Sequence, residues 1–142
     1  VVSVAEAAAP RSVTLRLADD IDVARGDLIA SPQDEPTVCR ALSGPVAVLS
    51  DRPLRVRDRV LARVGTRTVR GIVESIDDEL DITTMTHLPT GDSLGLNAIG
   101  RVTVRLAEPV ALDDYRRLRH TGAFLLIDEV DGTTLAAGMA QE

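Results

Sequence analysis

The sequence predicts an all-β protein whose strands form a barrel or a sandwich. Runs of alternating apolar and polar residues recur along its 142 residues, and this period of two is typical of strands with one buried face. Residues that favour turns separate the runs, and only one stretch has the spacing of a helix. Closure into a barrel would remove the exposed edges that such strands otherwise present.

The first alternating run is SVTLRLA, in which Val13, Leu15 and Leu17 fall on one face. It predicts a strand near the start of the chain. The stretch SPQDEP, residues 31–36, comes later and is bracketed by two prolines. Such a composition is typical of a linker.

Three further runs predict strands that line a core. Their inward positions are Val46 and Val48; Val60, Ala62 and Val64; and Val102, Val104 and Leu106. The run GAFLLIDE, residues 122–129, is almost continuously apolar, which favours a strand buried on both faces. Gly65-Thr66 and Asp131-Gly132 predict hairpin turns, and the Pro- and Gly-containing segment 89–92 predicts a broader loop.

A helix of one or two turns is predicted in ALDDYRRLRH, residues 111–120. Leu112, Tyr115 and Leu118 recur there at every third position. Aspartates precede arginines along the segment, an order that complements the helix dipole.

The composition argues against nucleic acid and membrane as partners. The net charge is −6, and all sixteen basic residues are arginine, a bias typical of a GC-rich bacterial genome. An acidic chain repels phosphate backbones, and one tyrosine and one phenylalanine provide no platform for stacked bases. No apolar run approaches the ~20 residues that a bilayer-spanning helix needs.

The residues that could carry chemistry form no recognisable motif. Cys39 is the lone cysteine, which predicts a buried, reduced thiol in a cytoplasmic protein. His87 and His120 stand far apart, so neither a zinc site nor a nucleophile–base pair is indicated. The acidic run DDELD, residues 77–81, lacks the spacing of a calcium loop and predicts a solvated turn. GDSLGLNAIG, residues 91–100, fits no nucleotide fingerprint and predicts a loop that leads into a strand.

We therefore assign no catalytic, cofactor-binding or metal-ligating residue to this chain. One tripeptide still needs an interpretation. Arg25-Gly26-Asp27 is the sequence that cell-surface adhesion receptors read on extracellular proteins. Because the chain has no basic leader region and no disulfide framework, we interpret the tripeptide as a turn before a strand, where glycine accepts backbone angles that other residues avoid.

Four stretches together resemble the large, GTP-binding subunit of bacterial sulfate adenylyltransferase, a translation-factor type of GTPase. They are VTLRLADDIDVARGDLI, NAIGRVTVRLAEP, LDDYRRLRHTGAFLLID and the terminal AAGM. The resemblance covers essentially the whole chain. It implies an elongation-factor-Tu-like antiparallel β-barrel of the domain III type in residues 31–142. It also implies that residues 1–30 are the last strands of an incomplete domain II-type barrel.

The resemblance implies a non-catalytic role in making adenylyl sulfate and pyrophosphate from ATP and sulfate. In that family GTP and Mg bind a GTPase domain that this chain lacks, and a small subunit carries out the adenylyl transfer. The barrel would couple the two by moving as a packed rigid body. The expected partners are the GTPase domain of the same parent chain and the small catalytic subunit.

Two further expectations follow. Residues 1–30 should be frayed, packed on the main barrel in a new way, or paired with another copy through exposed strand edges. The alternative function is a stand-alone translation-factor-like barrel that binds another protein.

Overall fold

The computed structural model describes residues 4–8, 10–89 and 91–141. Residues 1–3, 9, 90 and 142 lie outside the described residues, and with them the outer ends of the predicted segments 1–30 and 31–142. The elements, in chain order, are β1 Thr37–Val48, β2 Leu54–Arg55, β3 Arg59–Val64, β4 Arg67–Asp81, β5 Thr86–Leu88, β6 Ser93–Leu94, β7 Ile99–Leu112, α1 Arg119–Gly122, β8 Ala123–Asp128 and β9 Thr134–Met139.

Six of these strands close into an antiparallel barrel. Their order is β3-β8-β9-β1-β7-β4, and β4 pairs again with β3 to complete the ring. β5 continues the sheet beyond β4, while β2 and β6 pair with each other in a separate two-stranded sheet. The predicted all-β class and barrel are confirmed.

The barrel interior is aliphatic because the residues at alternate, inward positions of the barrel strands are almost all Val, Leu and Ala. The inward positions predicted from sequence are all buried, and the longest strands add Leu42, Val69 and Val73. Phe124 is the one aromatic side chain in this described core, and it is 2% exposed. A core of this kind is held by non-directional burial of apolar surface, at about 25 cal/mol per Å².

The long strands bend around the barrel at interruptions of their register. β1 shifts against β7 between Cys39 and Ala41, and β4 shifts against β7 between Val73 and Ser75 and again after Ile76. An extra residue on one strand bends it and increases its twist. These interruptions let strands as long as β4 and β7 curve with the closed sheet.

The two predicted hairpin turns are confirmed. Gly65 and Thr66 join β3 to β4, with Val64 paired to Arg67. Residues 129–133 form the β8–β9 loop. Residues 95–98 lead from β6 into β7, as the glycine-rich stretch predicted.

A buried carboxylate fixes one end of the barrel. Asp128, at the end of β8, is 4% exposed and forms an ion pair with Arg52. Its Oδ1 also accepts a hydrogen bond of 2.7 Å from the backbone N–H of Val130. The second guanidinium nitrogen of Arg52 lies 3.4 Å from Asp58, just before β3. One arginine therefore ties the loop after β1 to two further parts of the ring.

Four predictions of local structure were wrong in part. The alternating run at residues 12–18 is not a strand, since no neighbouring strand supplies hydrogen bonds to it in the described chain. β8 is buried on one face only, because its outer residues Leu125 and Ile127 meet no second layer and are partly exposed. The acidic run 77–81 is not a turn but the end of β4, where β5 and β7 pair with it.

The predicted helix is the fourth. Residues 115–117 form a turn. The helix has a single turn, Arg119–Gly122, and lies later in the chain than predicted. Asp113 and Asp114 stand before the turn, where their carboxylates accept local hydrogen bonds instead of capping a helix.

The contact between Gly138 and Phe124 yields a first prediction. A Cβ at position 138 would lie 2.2 Å from the Phe124 ring, which the core holds in place. We expect Gly138→Ala to lower the free energy of unfolding by about 1–3 kcal/mol through overpacking, measured by urea denaturation. Gly95→Ala is the control, because a Cβ there meets nothing within 4 Å. Equal stabilities of the two variants would contradict the packing described.

A second prediction concerns acid unfolding. Backbone N–H groups of Thr83 and Thr133 hydrogen-bond the carboxylates of Asp81 and Asp131 and lower both pKa values from 3.8. A group whose pKa is lowered in the folded state stabilises the fold at pH values above its unfolded pKa. This stabilisation is lost as the pH falls through the folded pKa. We expect Asp81→Asn/Asp131→Asn to flatten the fall in stability below pH ~4.

The measurement is the urea midpoint between neutral pH and pH ~2. Asp51→Asn is the control, since Asp51 is exposed and no described residue hydrogen-bonds its carboxylate. An equal fall of the urea midpoint with pH in the parent, the double variant and the control would refute the role given to Asp81 and Asp131.

Candidate interaction surface

The described residues hold no group of three or more His, Cys, Asp and Glu side chains placed to bind a metal ion. Cys39 lies on β1 and is partly buried rather than fully buried as predicted. His87 lies on β5, where its Nδ1 is 3.1 Å from Asp78 Oδ1, and His120 lies on α1. The structure does not bring these three residues together, and the assignment of no catalytic, cofactor or metal residue stays a prediction.

The most unusual surface belongs to the segment before β1, residues 10–36, which we call the N-terminal segment. No strand or helix is found in it. Its exposed aliphatic residues, each at least 41% exposed, are Val13, Leu15, Leu17, Ile21, Val23, Leu28 and Ile29. A group of exposed aliphatic side chains marks a surface that normally contacts another element. Self-association through this segment stays a prediction.

The Arg25-Gly26-Asp27 tripeptide is a turn, as predicted, but no strand follows it. Gly26 has a φ of 106°, a conformation that favours glycine. The Asp27 N–H donates to the carbonyl of Ala24 at 3.1 Å, and its carboxylate accepts from the Ala24 N–H at 2.8 Å. The carboxylate of the tripeptide is therefore engaged within the turn.

The turn lies against one end of the barrel. A groove of about 400 Å³ runs between Gly26–Leu28 on one side and the β3–β4 hairpin and the end of β7 on the other. A Cβ on Gly26 would come within 3.4 Å of Arg67 Cβ. Of the three expected arrangements of residues 1–30, this part of the chain has the packed one.

A cluster of polar side chains holds the end of the N-terminal segment. Arg117 binds the carboxylates of both Asp34 and Asp113. Asp113 is 6% exposed and accepts a 2.6 Å hydrogen bond from the Thr121 hydroxyl. Hydrogen bonds to Asp34, which has the larger effect, and to Asp113 raise the pKa of the Arg117 guanidinium above its ordinary value. The segment is thus attached beside α1 by one bridging arginine, which the sequence pattern did not reveal.

Nothing in the described part of the chain resembles a membrane-crossing helix in length and apolar content.

Comparison with known proteins shows a family and a group of close relatives. The family model of the GTP-eEF1A C-terminal domain-like proteins matches residues 43–141. The bifunctional enzyme CysN/CysC of Mycobacterium tuberculosis is 41% identical over 138 residues, which are 96% of this chain and 22% of that enzyme. Sulfate adenylyltransferase subunit 1 of Alteromonas mediterranea is 36% identical over 130 residues, 92% of this chain and 27% of that subunit.

The chain therefore spans only about a quarter of the length of these relatives. Among solved structures, sup35 complexed with GDP matches with a TM-score of 0.69 and 16% identity, over 79% of this chain and 27% of that one. An identity of this size concerns the fold alone, and it confirms the translation-factor type of barrel.

The polar cluster yields a third prediction. Asp113→Ala removes the acceptor that Arg117 and Thr121 share in a partly buried site. We expect a loss of about 1–3 kcal/mol in the free energy of unfolding, measured by chemical denaturation. Asp51→Ala, at an exposed position, should stay within about 0.5 kcal/mol of the parent. A loss no larger than that of the control would show that the cluster contributes nothing to stability.

Proposed function

We propose, from the premise that this chain belongs to the GTP-eEF1A C-terminal domain-like family, that it is the β-barrel portion of the GTP-binding subunit of a sulfate adenylyltransferase. The observation that carries the proposal is the 41% identity to CysN/CysC over 96% of this chain. Subunit 1 sequences match over a similar share of the chain. Identity at this level along the whole barrel separates this chain from sup35, which shares the fold at 16%.

In this proposal the barrel is not catalytic. GTP and Mg bind a GTPase domain that precedes it in the parent chain, and a small subunit forms adenylyl sulfate and pyrophosphate from ATP and sulfate. The barrel couples the two reactions as a rigid element. Support comes from a closed sheet, which deforms little because its core is packed on all sides. The sequence has a single cysteine, Cys39, which is in keeping with a cytoplasmic location.

The N-terminal segment supports a connection to preceding parts of the parent chain. Its alternating residues Val13, Leu15 and Leu17 are 49%, 64% and 41% exposed. Burying one such side chain fully contributes about 1.5–3 kcal/mol. Strands supplied by a preceding domain would cover these residues and convert the run into the strand that its sequence pattern predicts. The connection to the preceding domain would then be a packed interface and not a flexible linker.

The fourth prediction tests the function by exchange of barrels. In CysN/CysC, the matching 22% of the enzyme is replaced with this chain, and GTP-dependent formation of adenylyl sulfate is measured together with co-purification of the small subunit. We expect activity within about tenfold of the parent enzyme, since in this proposal the barrel makes the contacts with the GTPase domain and the small subunit.

The matched control carries the sup35 barrel at the same junction, which has the same fold at 16% identity. It should fold but lose the coupling. If both chimeras fold and are equally active, the barrel has no specific part in the reaction. If both fold and are inactive, this chain cannot replace the barrel of the subunit. Either result would make the proposal wrong.

Amide exchange at residues 12–17 in the same chimera distinguishes the proposed function from the alternative, a stand-alone binding barrel. The proposal expects these amides to be unprotected in the isolated chain and protected after joining, because a neighbouring strand then binds them. A stand-alone binding barrel predicts no protection in either protein.

A further inference from the structure

The outer face of β3, β4 and β7 gathers three arginines around one isoleucine. Arg59 on β3 pairs in register with Ile72 on β4, and Ile72 pairs with Arg105 on β7. Arg70 precedes Ile72 by two residues on the same face of β4. We call Arg59, Arg70, Ile72 and Arg105 the arginine face. It stands out because the whole chain carries a net charge of −6.

The arginine face has the form of a small docking site. Its residues line an open groove of about 290 Å³, whose lining also includes Gly71, Leu106, Ala107 and Glu129. Ile72 is 38% exposed in the middle of a barrel strand, a position with no second sheet above it. Arginine is enriched at the energetic centres of protein interfaces, and the exposed Ile72 side chain beside it adds apolar surface that binding would bury.

The positive charge of this face is only partly neutralised. The Arg59 side chain makes no hydrogen bond or ion pair with any described residue. Arg70 Nε lies 2.9 Å from Glu129 Oε1, with the Arg70 side chain 78% exposed. Arg105 Nε lies 3.9 Å from Glu74 Oε1, and both side chains are more than half exposed. Exposed pairs of this kind contribute at most about 1 kcal/mol, so an incoming carboxylate can replace them.

We propose that the arginine face binds a carboxylate-bearing segment of a partner protein, with an apolar side chain of that segment resting on Ile72. Guanidinium groups suit this ligand because their planar N–H donors bind carboxylates in a bidentate manner. The inference goes beyond the proposed function, since it holds for a barrel in any parent protein.

The surroundings favour protein over nucleic acid. Glu74 and Glu129 each pair with one of the arginines, so the face keeps little uncompensated positive charge, whereas a phosphate backbone is bound by many uncompensated cations. No aromatic residue lies on the face to stack a base.

The test uses the whole 142-residue chain and a short synthetic peptide of alternating glutamate and leucine. Binding is followed by ¹⁵N NMR at the arginine Nε–H groups and at the Ile72 amide. We expect the shifts to centre on these four residues and the affinity to fall with added salt. A peptide with glutamine in place of glutamate should not bind.

Arg59→Glu/Arg105→Glu should weaken binding at least about tenfold, and Arg59→Gln/Arg105→Gln provides a milder change should the first variant fail to fold. Arg16→Glu/Arg119→Glu is the matched control. It changes the net charge equally at two exposed arginines elsewhere and should bind within about twofold of the parent.

Four outcomes would overturn the proposal. They are no binding, equal loss in the control, tighter binding of a single-stranded RNA oligonucleotide than of the peptide at these residues, and a self-associated chain in sedimentation that the charge reversal separates into monomers. The last result would assign the face to contacts between copies.

Discussion

Closure of the sheet through β3 is the constraint on which the rest of the structure depends. This strand has six residues and pairs along its length with both β4 and β8. Its inward side chains, Val60, Ala62 and Val64, are buried almost completely. Without β3 the remaining strands would form an open sheet with two free edges and an uncovered aliphatic face. The hairpin at Gly65-Thr66 keeps this strand beside β4. The pairing that closes the ring is therefore formed by two strands that are neighbours in the sequence.

Closure also explains why the function must be sought on the outside of the molecule. A ring of this size is filled by its own side chains and leaves no room for a ligand. The outer residues are then free to vary in chemistry, and they differ strongly from place to place. One end carries the N-terminal segment fixed by Arg117, while the β3–β4–β7 face carries guanidinium groups around Ile72. Both features are positioned by a sheet whose geometry is set from within.

Alternation predicted the core well because burial of one strand face depends on period alone. It misplaced the strand at residues 12–18 because a strand also needs a hydrogen-bonding neighbour, which local sequence does not specify. The burial of β8 on one face was missed for a related reason, since a continuous apolar run does not tell how many layers cover it. The arginine face could not be predicted, because Arg59, Ile72 and Arg105 are brought together by register across three strands.

The scarcity of aromatic residues has a practical consequence for studies of this barrel. Phe124 places a single benzyl ring among aliphatic methyl groups, directly beside the backbone of Gly138 on the adjacent strand β9. The ring current of that one side chain shifts the proton resonances of the atoms around it, and no tryptophan in the chain adds a competing contribution. The chain's one tyrosine, Tyr115, lies near the same strands, so the useful probes are upfield-shifted methyl resonances that show contacts to the Phe124 ring. Their positions report on the packing around β8 and β9 and so on whether the barrel is closed.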